Sequence, residues 1–168
     1  MRYKKFDPNA LNQIFYIVPV NNSTSLNETC ILYNNYSGKA LDIPGATFEH
    51  GERLIQYEAN KRFNQRWRWV PQGNGYLLQS VLNGQCIDIA EEKKESGSKV
   101  VQWDKTGGKN QQWRPIPAGN GVWKIESVHA PGQYLGIKND SVDDGGKLEI
   151  NNNNGPTQVW RIQGYVPK

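Results

Sequence analysis

Apolar residues along this chain come in short runs of four to six residues that stop at glycine, proline or asparagine. Cys30-Ile31-Leu32-Tyr33, Ala40-Leu41-Asp42-Ile43, Arg53-Leu54-Ile55-Gln56-Tyr57, Trp67-Arg68-Trp69-Val70 and Tyr76-Leu77-Leu78-Gln79 are of this kind, and later stretches echo them. Short runs bounded by turn residues predict β-strands. No stretch holds apolar residues at i, i+3, i+4 and i+7 for three turns, so helix is not expected. The runs Trp67–Val70 and Tyr76–Gln79 flank Pro71-Gln72-Gly73-Asn74-Gly75, and the runs from Trp113 to Ile116 and from Val122 to Glu126 flank Ala118-Gly119-Asn120-Gly121. Both read as hairpins, with Asn-Gly tolerating the positive φ of a tight turn.

The pattern recurs on a fixed interval. Gln65-Arg66-Trp67, Gln111-Gln112-Trp113 and Gln158-Val159-Trp160 place their tryptophans 46 and 47 residues apart. Gly38, Gly84 and Gly132 stand four residues before Asp42, Asp88 and Gly136, and Gly51, Gly97 and Gly145 stand nine residues after them. Such a period means one supersecondary unit used three times. The repeats span about residues 29–71, 76–117 and 123–163, with about four strands in each. A unit of this size cannot bury its apolar face alone, so the three must close on one another, which also removes exposed strand edges. Residues 1–28 lie outside the pattern. They are expected to form an extension with one extra strand near Phe15–Val18 and a polar loop over Asn21–Glu28, ahead of one domain over residues 29–168.

Composition narrows the picture. A chain of 168 residues is normally one domain. Only 36% of residues are hydrophobic, so the core must draw on large side chains, which six Trp, eight Tyr and four Phe supply. Mean hydropathy is −0.76 and no apolar run approaches the roughly 18 residues of a membrane span, so no membrane insertion is expected. No signal peptide is visible, and the expected location is cytoplasmic or secreted without a leader. The net charge of +4 comes from scattered lysines and arginines, which does not suggest a nucleic-acid partner. Cys30 and Cys86 fall at non-equivalent places in their repeats and read as two free, partly buried thiols.

Three spaced Gln-x-Trp copies, each 23 to 25 residues after the start of a strand such as Leu41-Asp42-Ile43, resemble the ricin B-chain lectin family over about residues 29–163. The resemblance implies an all-β fold, the β-trefoil, built of three pseudo-symmetric four-stranded repeats. It implies that each Gln bonds main chain and each Trp fills the core. It also implies a saccharide ligand of the galactose or N-acetylgalactosamine type. Sugar sites of that family use an Asp on the early strand, an aromatic 15 residues later and an Asn just before the Gln. Repeat one matches with Asp42, Tyr57 and Asn64, and repeat two with Asp88, Trp103 and Asn110. Gln65 and Gln111 are candidates for the floor of each site.

These residue types suit a sugar. A flat, rigid ring covers the C–H face of a pyranose at little entropic cost. A carboxylate accepts charge-assisted hydrogen bonds from vicinal hydroxyls, and an amide both donates and accepts. Repeat three has Gly136, Asn151 and Thr157 at the matching positions, so it is expected to be silent. Asp143 and Asp144 read as an exposed turn.

Catalysis is not expected. A glycosidase needs two carboxyls about 5 to 9.5 Å apart, whereas Asp42 and Asp88 belong to separate lobes. His50 and His129 have no metal-spaced partners, Gly107-Gly108-Lys109 lacks the rest of a phosphate loop, and no cofactor is implied. The leading reading is a non-catalytic lectin whose partners are glycans, with the oligomeric state open and a homodimer among the options. Rival readings are a trefoil used for protein contacts, as in a protease inhibitor or a toxin's receptor-binding part, and the glycan-targeting module of a larger enzyme.

Overall fold

The computed structural model describes residues 29–164, so the extra strand and polar loop expected within residues 1–28 lie outside the described residues. Twelve strands follow in order: β1 (Cys30–Asn34), β2 (Ala40–Asp42), β3 (Ile55–Tyr57), β4 (Trp67–Gln72), β5 (Gly75–Ser80), β6 (Cys86–Ile89), β7 (Val100–Trp103), β8 (Trp113–Pro117), β9 (Trp123–Ser127), β10 (Tyr134–Ile137), β11 (Leu148–Asn151) and β12 (Trp160–Gly164). Among the described residues no helix is long and apolar enough to cross a membrane. The fold is an all-β trefoil of three four-stranded repeats, β1–β4, β5–β8 and β9–β12.

Six strands close a barrel. β1 pairs with β12 and β4, β4 with β5, β5 with β8, β8 with β9, and β9 with β12, all antiparallel. The three joints between these ladders have one register: Cys30 opposite Trp67, Tyr76 opposite Trp113 and Trp123 opposite Trp160. Each Gln-x-Trp tryptophan therefore stands at a joint where two ladders must be held together. The hairpins β2–β3, β6–β7 and β10–β11 cap one end. Antiparallel bridges Arg53–Val101, Ile55–Lys147 and Lys99–Glu149 join them in a ring.

The core follows the threefold pattern of the sequence. Leu32, Leu78 and Ile125, then Leu41, Ile87 and Leu135, then Ile43, Ile89 and Ile137, then Leu54, Val100 and Leu148 are all fully buried around Trp67, Trp113 and Trp160. Each such side chain contributes about 1.5–3 kcal/mol of burial. The buried indoles also need partners for their N–H groups. Trp67 Nε1 donates to Leu41 O at 3.2 Å, Trp113 Nε1 to Ile87 O at 3.1 Å and Trp160 Nε1 to Leu135 O at 3.0 Å. Each acceptor lies one residue before Asp42, Asp88 or Gly136.

The recurring glycines have a shared task. Gly51, Gly97 and Gly145 have φ of 79°, 92° and 85°, a region that disfavours any residue with a Cβ. Their N–H groups donate across the repeat boundary to Gln102 O (2.9 Å), Ile150 O (2.7 Å) and Gln56 O (2.8 Å). Each acceptor is the residue before Trp103, Asn151 or Tyr57, so each repeat braces the next in cyclic order.

Two expectations need correction. In the first hairpin the positive φ falls on Gly73 (55°) rather than on Asn74-Gly75, whereas in the second Asn120 (51°) and Gly121 (76°) take it as expected. Cys30 and Cys86 are free, but they are fully rather than partly buried, and burial pushes their thiols up to about 12 and about 11. Cys30 sits in the core at a barrel joint opposite Trp67, whereas Cys86 lies on β6 opposite Trp103, on the strand face it shares with Asp88.

Trp113→Phe keeps most of the ring but leaves the Ile87 carbonyl without its donor. The variant is expected to lose about 2–4 kcal/mol in urea denaturation monitored by circular dichroism.

Candidate binding site

A short 3-10 turn precedes each core tryptophan: Phe63–Gln65, Lys109–Gln111 and Pro156–Gln158. In each turn the Gln N–H returns to a carbonyl three residues earlier, Arg62, Gly108 or Gly155. Each Gln ends its turn and each Trp opens the next strand, and both side chains are buried. The turn thus packs beside the strand that carries the acid.

At the first site Gln65 Nε2 donates to Asp42 Oδ2 at 2.8 Å and to Glu58 O at 2.9 Å, and Gln65 Oε1 accepts the N–H of Asn60 and of Lys61. Asn64 Nδ2 donates to Asp42 Oδ2 at 3.2 Å and to Ile43 O at 3.1 Å. The second site repeats the design. Gln111 Nε2 donates to Asp88 Oδ2 at 2.9 Å and to Asp104 O at 2.7 Å, while Gln111 Oε1 accepts from Thr106 and Gly107. Asn110 Nδ2 donates to Ile89 O at 3.3 Å. The glutamine bonds to both acids land on Oδ2, which leaves Oδ1 for an incoming group.

Both glutamines have no exposed surface, and Asp42 and Asp88 are 3% and 6% exposed. Tyr57 and Trp103 are at the surface, 44% and 43% exposed. Strand pairing sets the two groups side by side. Tyr57 lies opposite Ala40, two residues along β2 from Asp42, and Trp103 lies opposite Cys86, two residues along β6 from Asp88. Around the second site Asp88, Trp103 and Asn110 line one open cavity of about 760 Å³ together with Glu91, Glu92 and Gly51.

Burial dominates the electrostatics. It raises the Asp42 carboxyl to about 6 against the hydrogen bonds from Gln65 and Asn64, and raises Asp88 to about 6 against the bond from Gln111, with Glu92 adding to the rise. Two acids raised to about 6, each ionised at neutrality and beside an exposed ring, make a surface able to accept hydroxyl donors and cover an apolar face. Among the described residues no group of three or more His, Cys, Asp or Glu side chains is placed to hold a metal ion.

The third lobe is filled from within. Asn151 takes the register of Tyr57 and Trp103, opposite Tyr134, but is only 3% exposed. Its side chain turns inward to accept Gln158 Nε2, the role the acid has in the other lobes. A Cβ on Gly136 would lie 3.0 Å from Asn151 Nδ2, so glycine there makes room for that amide. Thr157 Oγ1 is engaged by Asp140 Oδ1 at 2.6 Å and by the Ile137 N–H at 3.0 Å.

Residues outside the sequence-derived set also build the sites. Gln56 and Gln102, just before Tyr57 and Trp103, are fully buried and clamp a loop of the neighbouring repeat. Gln56 Nε2 donates to Ser141 O and Asp143 O, and Gln102 Nε2 to Thr47 O and Glu49 O. A Gln-aromatic pair recurring at 46 residues, with Ile150-Asn151 in its place in the third repeat, was the available signal. Asp144 lies in an exposed turn, as read, yet its Oδ1 accepts the Glu58 N–H at 2.9 Å beside the first site.

Comparison with known proteins places the fold. The family model described as ricin-type beta-trefoil lectin domain-like matches residues 63–151, more than half of the chain. The chain belongs to this lectin-like family. No curated protein matches it in sequence. Among solved structures it is similar to the designed threefold-symmetric protein ThreeFoil, with 33% identity, TM-score 0.78, and 82% of this chain and 99% of that chain covered. It is similar to part of an exo-beta-1,3-galactanase from Clostridium thermocellum, with 28% identity, TM-score 0.78, 82% of this chain and 30% of that chain. The ricin B-like lectin of Macrolepiota procera, solved with lactose, shares the fold at 19% identity and TM-score 0.72 over 86% of this chain and all of that one.

A carboxyl whose folded value is raised costs stability as pH climbs through it: the penalty is absent below the unfolded value near 4 and fully present above about 6. Asp88→Asn removes that ionisation and keeps an acceptor for Gln111, as Asn151 does for Gln158. It is expected to be more stable than the parent by about 1 kcal/mol at pH 7. The gain should shrink towards pH 4 in thermal melts run across that range.

Proposed function

We propose that the protein is a non-catalytic lectin with two saccharide sites, one in repeat one and one in repeat two, and a silent third lobe. The observation that carries this reading is the twice-repeated pairing of a buried acid with an exposed ring, set against Asn151 folded inward at the third equivalent position. Asp42 and Asp88 accept hydroxyls through Oδ1, Tyr57 and Trp103 cover the C–H face of the sugar, and Asn64 and Asn110 flank the acid. Gln65 and Gln111, wholly buried and bonded at both ends, hold the carboxylates in place rather than touch the ligand.

A galactose-type ligand is supported by the company this fold keeps. The Macrolepiota procera lectin holds lactose, and the earthworm R-type lectin C-half, 23% identical, holds GalNAc. Each site is shallow, so a dissociation constant near 1 mM is expected, about −4 kcal/mol. Two sites on one domain raise the avidity for clustered glycans. The absence of catalysis fits the geometry, because the two raised carboxyls stand in different lobes and each is committed to an amide.

Two measurements test the reading. In glycan-array and calorimetric binding, Asp42→Ala and Asp88→Ala should each remove one site, and the double variant should retain none. Folding should survive, because Gln65 and Gln111 keep their bonds to Glu58 O and Asp104 O. Undiminished affinity in the double variant would defeat the assignment. Sugar hydroxyls favour the ionised acid, so affinity should fall about tenfold from pH 7 to pH 5, as the carboxyls protonate below about 6.

A further inference from the structure

Each recurring glycine follows a polar residue: His50 before Gly51, Ser96 before Gly97, Asp144 before Gly145. The glycine bonds described above carry these side chains across the repeat boundary, to the residue after the platform position. His50 Nε2 lies 2.9 Å from Asp104 Oδ1, Ser96 Oγ accepts the Asn152 N–H at 3.3 Å, and Asp144 Oδ1 accepts the Glu58 N–H at 2.9 Å. The three contacts are related by the pseudo-threefold axis but differ in chemistry. At the first site Asp144 is spent on main chain and lies 3.7 Å from Lys39 Nζ. At the second, a ring stands beside a ring: His50 and Trp103 have centroids 5.4 Å apart and planes tilted by 51°. About half of the His50 side chain remains open to solvent.

We propose that His50, supplied by repeat one, is a specificity-determining residue of the second site, forming a subsite for the saccharide unit next to the one held by Asp88 and Trp103. This rests on the lectin reading above. Asp88, Asn110, Trp103 and Gly51 line one cavity, and His50, next to Gly51 in the chain, stands outside that lining against the Trp103 ring. The Asp104 carboxylate fixes one imidazole nitrogen and so sets the ring's orientation, leaving Nδ1 to donate to or accept from a hydroxyl. The tilted contact between His50 and Trp103 sets a second, half-exposed ring beside the platform, within reach of a unit linked to the one it carries. At the first site the equivalent Asp144 gives neither a ring nor an unengaged position, so that site recognises one unit.

Trp103 supplies its own probe. Its indole ¹H–¹⁵N resonance, identified by its loss in Trp103→Tyr, reports occupancy of the second site alone in titrations with galactose and with lactose. The parent should favour lactose by about three- to tenfold, the worth of one net hydrogen bond. His50→Ala should abolish that preference by weakening lactose, with galactose affinity changed less than about twofold. His50→Gln, which keeps a partner for Asp104 but no ring, should fall between the two. An unchanged lactose-to-galactose ratio in His50→Ala overturns the inference, as does an equal loss for both sugars, which would make His50 a brace for Trp103. A resonance unmoved by either sugar in the parent would instead remove the lectin reading of this site and the inference with it.

Discussion

The hydrogen bond from each core indole to the carbonyl one residue before the acid position is the constraint on which the rest depends. Trp67, Trp113 and Trp160 stand where adjacent ladders of the barrel meet, and each ties its joint to the strand that carries Asp42, Asp88 or Gly136. A buried N–H without a partner is costly, so the indole fixes the strand's position as firmly as the ring fills the core. The glutamine two residues earlier is then delivered beneath the acid. Barrel closure and placement of the candidate site are one event, because Gln-x-Trp does both.

The arrangement holds two acids at a cost. Burial raises Asp42 and Asp88 to about 6, so near neutrality each is ionised against the preference of its surroundings. The third lobe shows an alternative in which the neutral amide of Asn151 accepts from Gln158 Nε2 and is itself buried, so the platform position carries no exposed ring. Equivalent backbone therefore supports either a raised acid beside an exposed aromatic or a buried amide in place of both.

No repeat builds its site alone. The glycine bonds and the Gln56 and Gln102 clamps make each platform lean on a loop from its neighbour, so a change in one repeat is felt in the next lobe. This coupling is what lets three similar units present unequal surfaces. The second lobe borrows His50, while the first borrows Asp144.

By itself the sequence determined the threefold period, the strand-rich elements and the triplets Asp42, Tyr57, Asn64 and Asp88, Trp103, Asn110, because all of these depend on residue type and spacing within one repeat. Tertiary structure alone decided that Gln65 and Gln111 lie wholly beneath the acids, that Asn151 turns inward, that both thiols are fully buried, and that His50 stands beside Trp103. His50 precedes Trp103 by 53 residues and has no partner at metal spacing in the sequence. Contacts of that kind arise only when separate repeats close around a common axis, and no local pattern of polar and apolar positions encodes which loop will meet which strand across it.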